Sequence, residues 1–348
     1  MHAGQTTLGI DEATLARAAE TLRGGGLVAF PTETVYGLGA NALAPTAVAR
    51  IFEAKARPHF DPLIVHVAEV AEARRLTTHW PDIARALADA FWPGPMTLVL
   101  PKQSIVPDLV TAGLATVALR IPAHPVALAL LRAAERPVAA PSANRFGGVS
   151  PTTAAHVQDE LGKQVDMVLD GGACQTGVES TVISLVEAGP PRVLRLGGLA
   201  VERIEQVVGE VAIAKPQAAG REAEQRGQQS PGMLERHYAP RTPLWLVERR
   251  ANFPSEAHHE SGQKFKVGML IFGRSAGDVK SDPRNREYEI AAVESLSATG
   301  DVVEAAANLF AAMRRLDALG LDGIVAERVP DKGLGRAIND RLRRAATR

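Results

Sequence analysis

The sequence predicts an α/β protein in two parts, the first built on a mixed sheet and the second smaller. Three observations carry that prediction. At 348 residues the chain exceeds one typical domain. Short apolar runs of strand length alternate with stretches whose apolar residues recur at helical spacing. Several of those runs follow one another with no helix between them, which suits a mixed sheet better than a wholly parallel one.

A helix opens the chain. Asp11 can cap it, Leu15, Ala18, Ala19 and Leu22 share one face, and Gly24-Gly25-Gly26 stops it. Leu27 to Phe30 is then a short buried strand, followed by a loop dense in hydroxyls and glycines from Pro31 to Gly39. Pro45 starts a second helix with Val48, Ile51 and Phe52 inward. It ends at Lys55-Ala56-Arg57-Pro58, because the residue before a proline avoids helical geometry. Leu63 to Val67 reads as a strand and Pro81 to Phe91 as a helix. Further strands are expected at Met96–Leu100, Thr116–Ile121, Pro137–Ala140, Met167–Leu169, Thr181–Leu185 and Arg192–Leu196.

From about Gly209 the composition turns to Ala, Gln, Glu and Arg without periodicity, the mark of a linker. It ends in Ser230-Pro231-Gly232-Met233 and Arg236-His237-Tyr238-Ala239-Pro240, too specific for a passive tether. Strands at Leu244–Val247, Lys266–Phe272 and Gly323–Val325, a helix from Asp301 to Leu316 and an Arg-rich closing helix make the second α/β domain. The expected division is 1–209, a linker over 210–241, and 242–348.

Hydrophobic content of 46% and 22% charged residues fit a soluble globular chain with ample core. A net charge of +0 argues against strong non-specific attraction to nucleic acid, though a local basic cleft fits the numbers. The single cysteine, Cys174, rules out an internal disulfide framework and a multi-cysteine zinc module, and it fits a reducing cytoplasm. No signal-peptide pattern occupies Met1 to Asp11, and no segment reaches the ~20 apolar residues of a membrane helix. The expectation is a cytoplasmic protein without a membrane partner.

Tyr36-Gly37-Leu38-Gly39-Ala40-Asn41-Ala42 has the spacing of a dinucleotide fingerprint, but its glycines lie well past the strand and no acidic residue follows at the expected distance. No P-loop motif occurs, so any ATP site is built another way. Lys55 and Arg57 are suited to gripping phosphates; the competing reading is a solvated helix C-terminus favoured by the dipole. His66, taken alone in its apolar strand, reads as a structural histidine with its polar atoms satisfied. No second histidine stands at metal-ligand spacing, and His258-His259 falls in the other domain, so no metal held by side chains is expected. Arg120, flanked by apolar residues, needs a carboxylate or phosphate: it either pairs internally or receives an anionic substrate. Ser142, Asn144, Ser150, Ser180 and Thr181 supply short polar groups without a nucleophile elbow around any serine. Nothing nearby activates Cys174, which reads as inert.

The ordered motifs resemble one family. They are P-T-E-T-V-Y-G-L-G, K-A-R-P-H-F-D-P-L, P-G-P-M-T-L-V-L, L-R-I-P, P-S-A-N, D-G-G-(x5)-G-V-E-S-T-V and V-L-R-L-G, then S-P-G-M-(x3)-H-Y-A-P and G-L-G-R-A-I-N-D-R-L-R-R-A. Almost the whole chain is similar to the YrdC-like proteins, specifically the long two-domain threonylcarbamoyl-AMP synthases. The resemblance implies a YrdC-like twisted, largely mixed sheet with helices, followed by a smaller Rossmann-like domain. It implies a nucleotidyltransferase that condenses L-threonine, bicarbonate (or CO2) and ATP, with Mg2+, into threonylcarbamoyl-AMP and pyrophosphate. A tRNA threonylcarbamoyltransferase complex would then pass the group to the adenosine beside the anticodon. Carried over by motif, Thr34, His66, Arg120, Ser180 and the backbone near Ala140 would contact threonine. Arg57, Asp61, Thr116, Ser142, Ser150 and Arg195 would contact ATP, Lys55 would lie at the phosphates, and Tyr238 of the linker would close over the nucleotide. Asp61 stands where the family usually has Asn; beside ATP it must be protonated, bind magnesium or pair with Arg57. Ala56 replaces the usual glycine. Three other readings stay open at the level of sequence: an RNA-binding or ribosome-associated factor of the same fold, a carbamoyl-transfer module, and a nucleotide-binding module that never consumes ATP.

Overall fold

The computed structural model describes residues 9–214, 236–248, 264–280 and 288–347. Among these, residues 9–146 and 150–214 form one compact unit, and 147–149 count with 236 onward in a second. Of the expected linker, 210–214 thus belong to the first unit and 236–241 to the second. The Ser230-Pro231-Gly232-Met233 motif and His258-His259 lie outside the described residues.

In the first unit α1 (Glu12–Arg23) begins as its sequence dictates. The Asp11 side chain accepts the Thr14 N–H at 2.6 Å, and Ala18, Ala19 and Leu22 are buried. After β1 (Val28–Phe30) the structure departs from expectation: Gly37–Asn41 is strand β2, antiparallel to β1, not loop. Glycine is a poor strand former, yet this strand needs it. A Cβ on Gly39 would lie 2.8 Å from both the Phe30 ring and Val138, so close packing selects the residue that propensity disfavours.

The unit continues through α2 (Pro45–Lys55), β3 (Ile64–His66), α3 (Val70–Arg75), α4 (Asp82–Phe91), β4 (Met96–Pro101) and α5 (Asp108–Thr111). Then come β5 (Thr116–Arg120), α6 (Pro125–Ala134), β6 (Val138–Ala139), α7 (Ala154–Leu161), β7 (Met167–Val168), β8 (Thr181–Ser184), β9 (Arg192–Arg195), α8 (Val201–Val208) and β10 (Ala212–Ile213). The sheet order is β10-β9-β8-β4-β5-β3-β6-β2-β1-β7. Parallel pairs such as β3/β5 and β4/β8 alternate with antiparallel ones such as β3/β6 and β4/β5, so the sheet is mixed, as expected.

Strand period sorts the sheet's residues onto two faces. Val65, Leu98, Leu119, Ile183 and Val193 point into the main core with Val48, Ile51, Leu87 and Ile204 of α2, α4 and α8. Ile64, Val99, Ala118, Val182 and Leu194 make a small apolar floor on the opposite face. There α1 and α6 pack beside β1 and β6, through Leu22, Val28, Leu130 and Val138. The floor strands also carry His66, Thr97 and Arg120, which alternation puts on the same face as Ile64, Val99 and Ala118.

The second unit is a four-stranded sheet, ordered β11 (Leu244–Val247), β14 (Gly323–Glu327), β12 (Lys266–Ile271), β13 (Glu289–Ser295), with every pair parallel. It includes α9 (Ala276–Lys280), α10 (Val302–Asp317) and α11 (Gly335–Ala345). Asp301 caps α10 by accepting the Val303 N–H at 2.7 Å. No helix among the described residues is long and apolar enough to cross a membrane.

Candidate active site

Neighbouring strands bring the amino-acid-binding candidates together. In the β3/β5 register His66 stands opposite Arg120. Arg120 is buried and resolves its two readings by pairing internally: Nη2 donates to Glu33 Oε1 at 2.6 Å, and Nε to the Gly94 carbonyl at 3.4 Å. Glu33 is fixed in turn, since its Oε2 accepts the Ala123 N–H at 3.0 Å. Nη1 makes no hydrogen bond among the described residues and remains for a second anion. The pairing is thus compatible with a substrate carboxylate, held through one nitrogen.

His66 departs from the expectation of a satisfied histidine. Its Nδ1 has no hydrogen-bond partner among the described residues, and the Phe30 ring meets it edge-on at 6.2 Å. Burial, then the charge of Arg120, push the imidazole down to about 3, so at neutral pH it is an uncharged ring. Thr34 is fully buried in the loop between β1 and β2. Thr32 gives its proton to the Val35 carbonyl at 2.6 Å, so across the 2.8 Å between the two hydroxyls Thr34 is the donor. The Ala140 N–H follows β6 and donates to the Ile64 carbonyl at 2.9 Å.

Ser180 precedes β8. Its Oγ lies 2.8 Å from Thr97 Oγ1 and accepts from Arg195 Nη2 at 3.1 Å, while its carbonyl accepts Arg195 Nε and Nη2 at 3.1 and 3.0 Å. A residue assigned to the amino acid is therefore clasped by one assigned to the nucleotide.

The remaining nucleotide candidates surround the end of α2. Ala56 turns the chain with φ 50, the left-handed cap that glycine would fill with less strain. Arg57 then folds back: Nη2 meets Asp61 Oδ2 at 2.8 Å and the Pro62 carbonyl at 2.9 Å, with Phe146 under the guanidinium at 5.7 Å. Of the three resolutions open to Asp61, pairing with Arg57 is the one observed. Lys55, expected at the phosphates, has its ammonium donating to the Ser142 carbonyl at 2.6 Å and to the Asn144 carbonyl. Burial, then Arg57, hold it well below the ordinary lysine range, against the pull of Asp61 and Glu160. Ser150 donates to Glu179 Oε1 at 2.6 Å. Thr116 opens β5 on the face of Arg120, four residues away, or roughly 13 Å at strand rise.

Tyr238 belongs to the second unit. Its ring is buried, with the Arg341 and Arg344 guanidinia 5.0 and 4.9 Å from its centroid and Phe310 stacked at 5.6 Å. Cys174 is buried with its thiol pushed up to about 12, which leaves it without nucleophilic character at neutral pH. Asp61, the one carboxylate of the basic motif, is taken by Arg57.

Glu33, Thr97 and Glu179 escape a reading of the sequence, although each fixes a candidate residue. A signal exists for Thr97: a lone hydroxyl inside Met96-Thr97-Leu98-Val99-Leu100 must find a buried partner.

Known proteins carry the same organisation. Residues 20–197 match the Sua5, YciO and YrdC family model described as telomere recombination. Residues 199–347 match the one described as the threonylcarbamoyl-AMP synthase C-terminal domain. The chain is 47% identical over 337 residues to the threonylcarbamoyl-AMP synthase of Pyrococcus abyssi, covering 97% of this chain and 95% of that protein. It belongs to the threonylcarbamoyl-AMP synthase family. A family member from Bacillus subtilis is 42% identical, covering 97% of this chain and 94% of its own. The crystal structure of P. abyssi Sua5 complexed with L-threonine superposes with a TM-score of 0.84 at 44% identity, over 97% of this chain and 95% of that one. The mixed sheet followed by a parallel one is thus the family's fold.

Proposed function

We propose that the protein is an L-threonylcarbamoyladenylate synthase, which makes threonylcarbamoyl-AMP and pyrophosphate from L-threonine, bicarbonate (or CO2) and ATP. One observation carries the reading beyond family membership. Arg120 and His66 share a sheet face, and Arg195 holds Ser180, so residues proposed for the amino acid touch one proposed for the nucleotide.

The chemistry asks for positioning more than for a reactive side chain. Bicarbonate and the threonine amine give a carbamate and water. A carbamate oxygen then attacks the α-phosphorus of ATP, the bond to the β-phosphate oxygen breaks, and pyrophosphate leaves. Arg120 Nη1 would hold the amino-acid carboxylate; neutral His66 would line the subsite without competing charge. Arg57 and Lys55 would face the phosphates, once Arg57 exchanges Asp61 for a phosphoryl oxygen and Lys55 gives up its carbonyl contacts. Asp61, Thr116, Ser142 and Ser150 would complete the nucleotide site. Magnesium bound to ATP would neutralise charge on the transferring phosphoryl group. An inert Cys174 agrees with a route that has no covalent enzyme intermediate. The product would serve a tRNA-modifying complex in the same compartment, for N6-threonylcarbamoyladenosine synthesis.

The test is a reaction of pure protein with ATP, threonine, bicarbonate and magnesium, read by mass spectrometry for the mixed anhydride. Omitting bicarbonate or replacing threonine by alanine abolishes the product. ATP binding with no threonine-dependent pyrophosphate release would contradict the proposal and favour a binding module.

A further inference from the structure

We infer that Thr97 is a positioning residue of the amino-acid subsite, fixing the Ser180 hydroxyl as a hydrogen-bond donor to the substrate. The inference rests on the function proposed above and adds to it a residue and a polarity.

Counting protons gives the direction. A hydroxyl has one proton and two lone pairs, and a guanidinium can only donate. Arg195 Nη2, at 3.1 Å, therefore takes one lone pair of Ser180 Oγ. Thr97 lies 2.8 Å away on the other side, and either hydroxyl could be the donor on geometry alone. Surroundings decide between them. Thr97 is fully buried, and Ser180 is the sole hydrogen-bond partner of its side chain among the described residues. Were Ser180 the donor, the Thr97 proton would be buried without an acceptor, a strongly disfavoured arrangement. With Thr97 donating, its proton is satisfied and both Ser180 lone pairs are filled. The Ser180 proton is then the one group left over, and it has no acceptor among the described residues.

That proton is offered to a ligand. Ser180 Oγ shares a sheet region with Arg120 and His66, so its partner is an acceptor atom of the amino acid: a carboxylate, carbamate or hydroxyl oxygen. Without Thr97 the hydroxyl could turn and present a lone pair, which an acceptor atom would be repelled by. Thr97 therefore sets which way the subsite's hydroxyl points before substrate arrives.

Thr97→Val keeps the branched shape and removes the donor; Thr97→Ser keeps the donor and removes a methyl. Threonine affinity by calorimetry and steady-state kinetics would be measured on both variants and the wild type, after melting curves establish folding. T97V is expected to raise the KM and Kd for threonine about tenfold, with kcat and the KM for ATP within about twofold of wild type. T97S is expected to stay close to wild type. Wild-type affinity in folded T97V would overturn this inference alone, whereas a wild type that does not bind threonine would overturn the underlying function. Should T97V fail to fold, Thr97→Ala takes its place; equal losses in T97A and T97S would show that the hydroxyl is not the cause and overturn the assignment.

Discussion

A neutral His66 beside a charged Arg120 makes this part of the candidate site sensitive to acid. Its folded value, about 3, lies below the ordinary histidine value of ~6.5, so between those limits the unfolded chain binds the extra proton. Stability is complete above about pH 6.5 and falls as pH drops through that window, by up to about 1.4 kcal/mol per pH unit. Denaturant unfolding of wild type and His66→Gln from pH 7 to 4 checks this; the variant's curve should be flatter, and parallel curves would refute it. Asp61 invites a second experiment, since its charge is set against Arg57 inside the motif proposed to meet phosphates. Asp61→Asn keeps the shape and removes the charge. The expected outcome is a KM for ATP several-fold lower, at a stability cost of about 3 kcal/mol from loss of the buried ion pair. An unchanged or higher KM would show that Arg57 and Asp61 act as a unit.

Elements place these residues, and one glycine guards the placement of Ser180. A Cβ on Gly197, two residues after Arg195, would lie 2.3 Å from the Glu179 carbonyl oxygen and 2.4 Å from the Ser180 carbonyl carbon. Both are backbone atoms and cannot swing aside. Gly197→Ala should therefore displace the start of β8, raising the KM for threonine at least tenfold and costing about 1–3 kcal/mol. Gly198→Ala is the comparison, because its Cβ would meet the Thr176 and Pro95 side chains, and its threonine KM should change far less. Equal kinetic effects would count against the role given to Gly197. The same contrast explains what the sequence discloses. α1 and α10 are legible from an Asp cap and a helical stripe. β2 is not, since Gly37 and Gly39 read as loop until Ala140 is seen to crowd the first and Phe30 and Val138 the second. β13, partly exposed along most of its length, offers too weak an alternation to announce itself.

At the scale of the molecule, that the sheet is mixed can be read from strands lacking a helix between them. Its order cannot, because β4 and β8 pair across more than eighty residues. For the same reason motif residues such as Arg120 can be named from sequence, while the pairing of Glu33 and Glu179 with them emerges only in the folded chain. Among the described residues, three apolar clusters of the first unit draw on residues up to Val211, with Ala214 packed at the margin. A chain ending before Gln229 should therefore still melt cooperatively. Its yield of the mixed anhydride should nevertheless fall at least tenfold, as the linker motif and Tyr238 would be gone. Circular dichroism and mass spectrometry on the same preparation separate the two effects, and undiminished synthesis would show the second unit to be dispensable. The Glu33–Arg120 contact has a wider consequence. A vacant recess holding a bare guanidinium would fill with whatever small anion is abundant, phosphate above all. Here the guanidinium is already half neutralised by its own chain, so casual anions gain little by entering. Only a molecule that brings further fitting groups repays displacement of water, and selectivity begins before any substrate has bound.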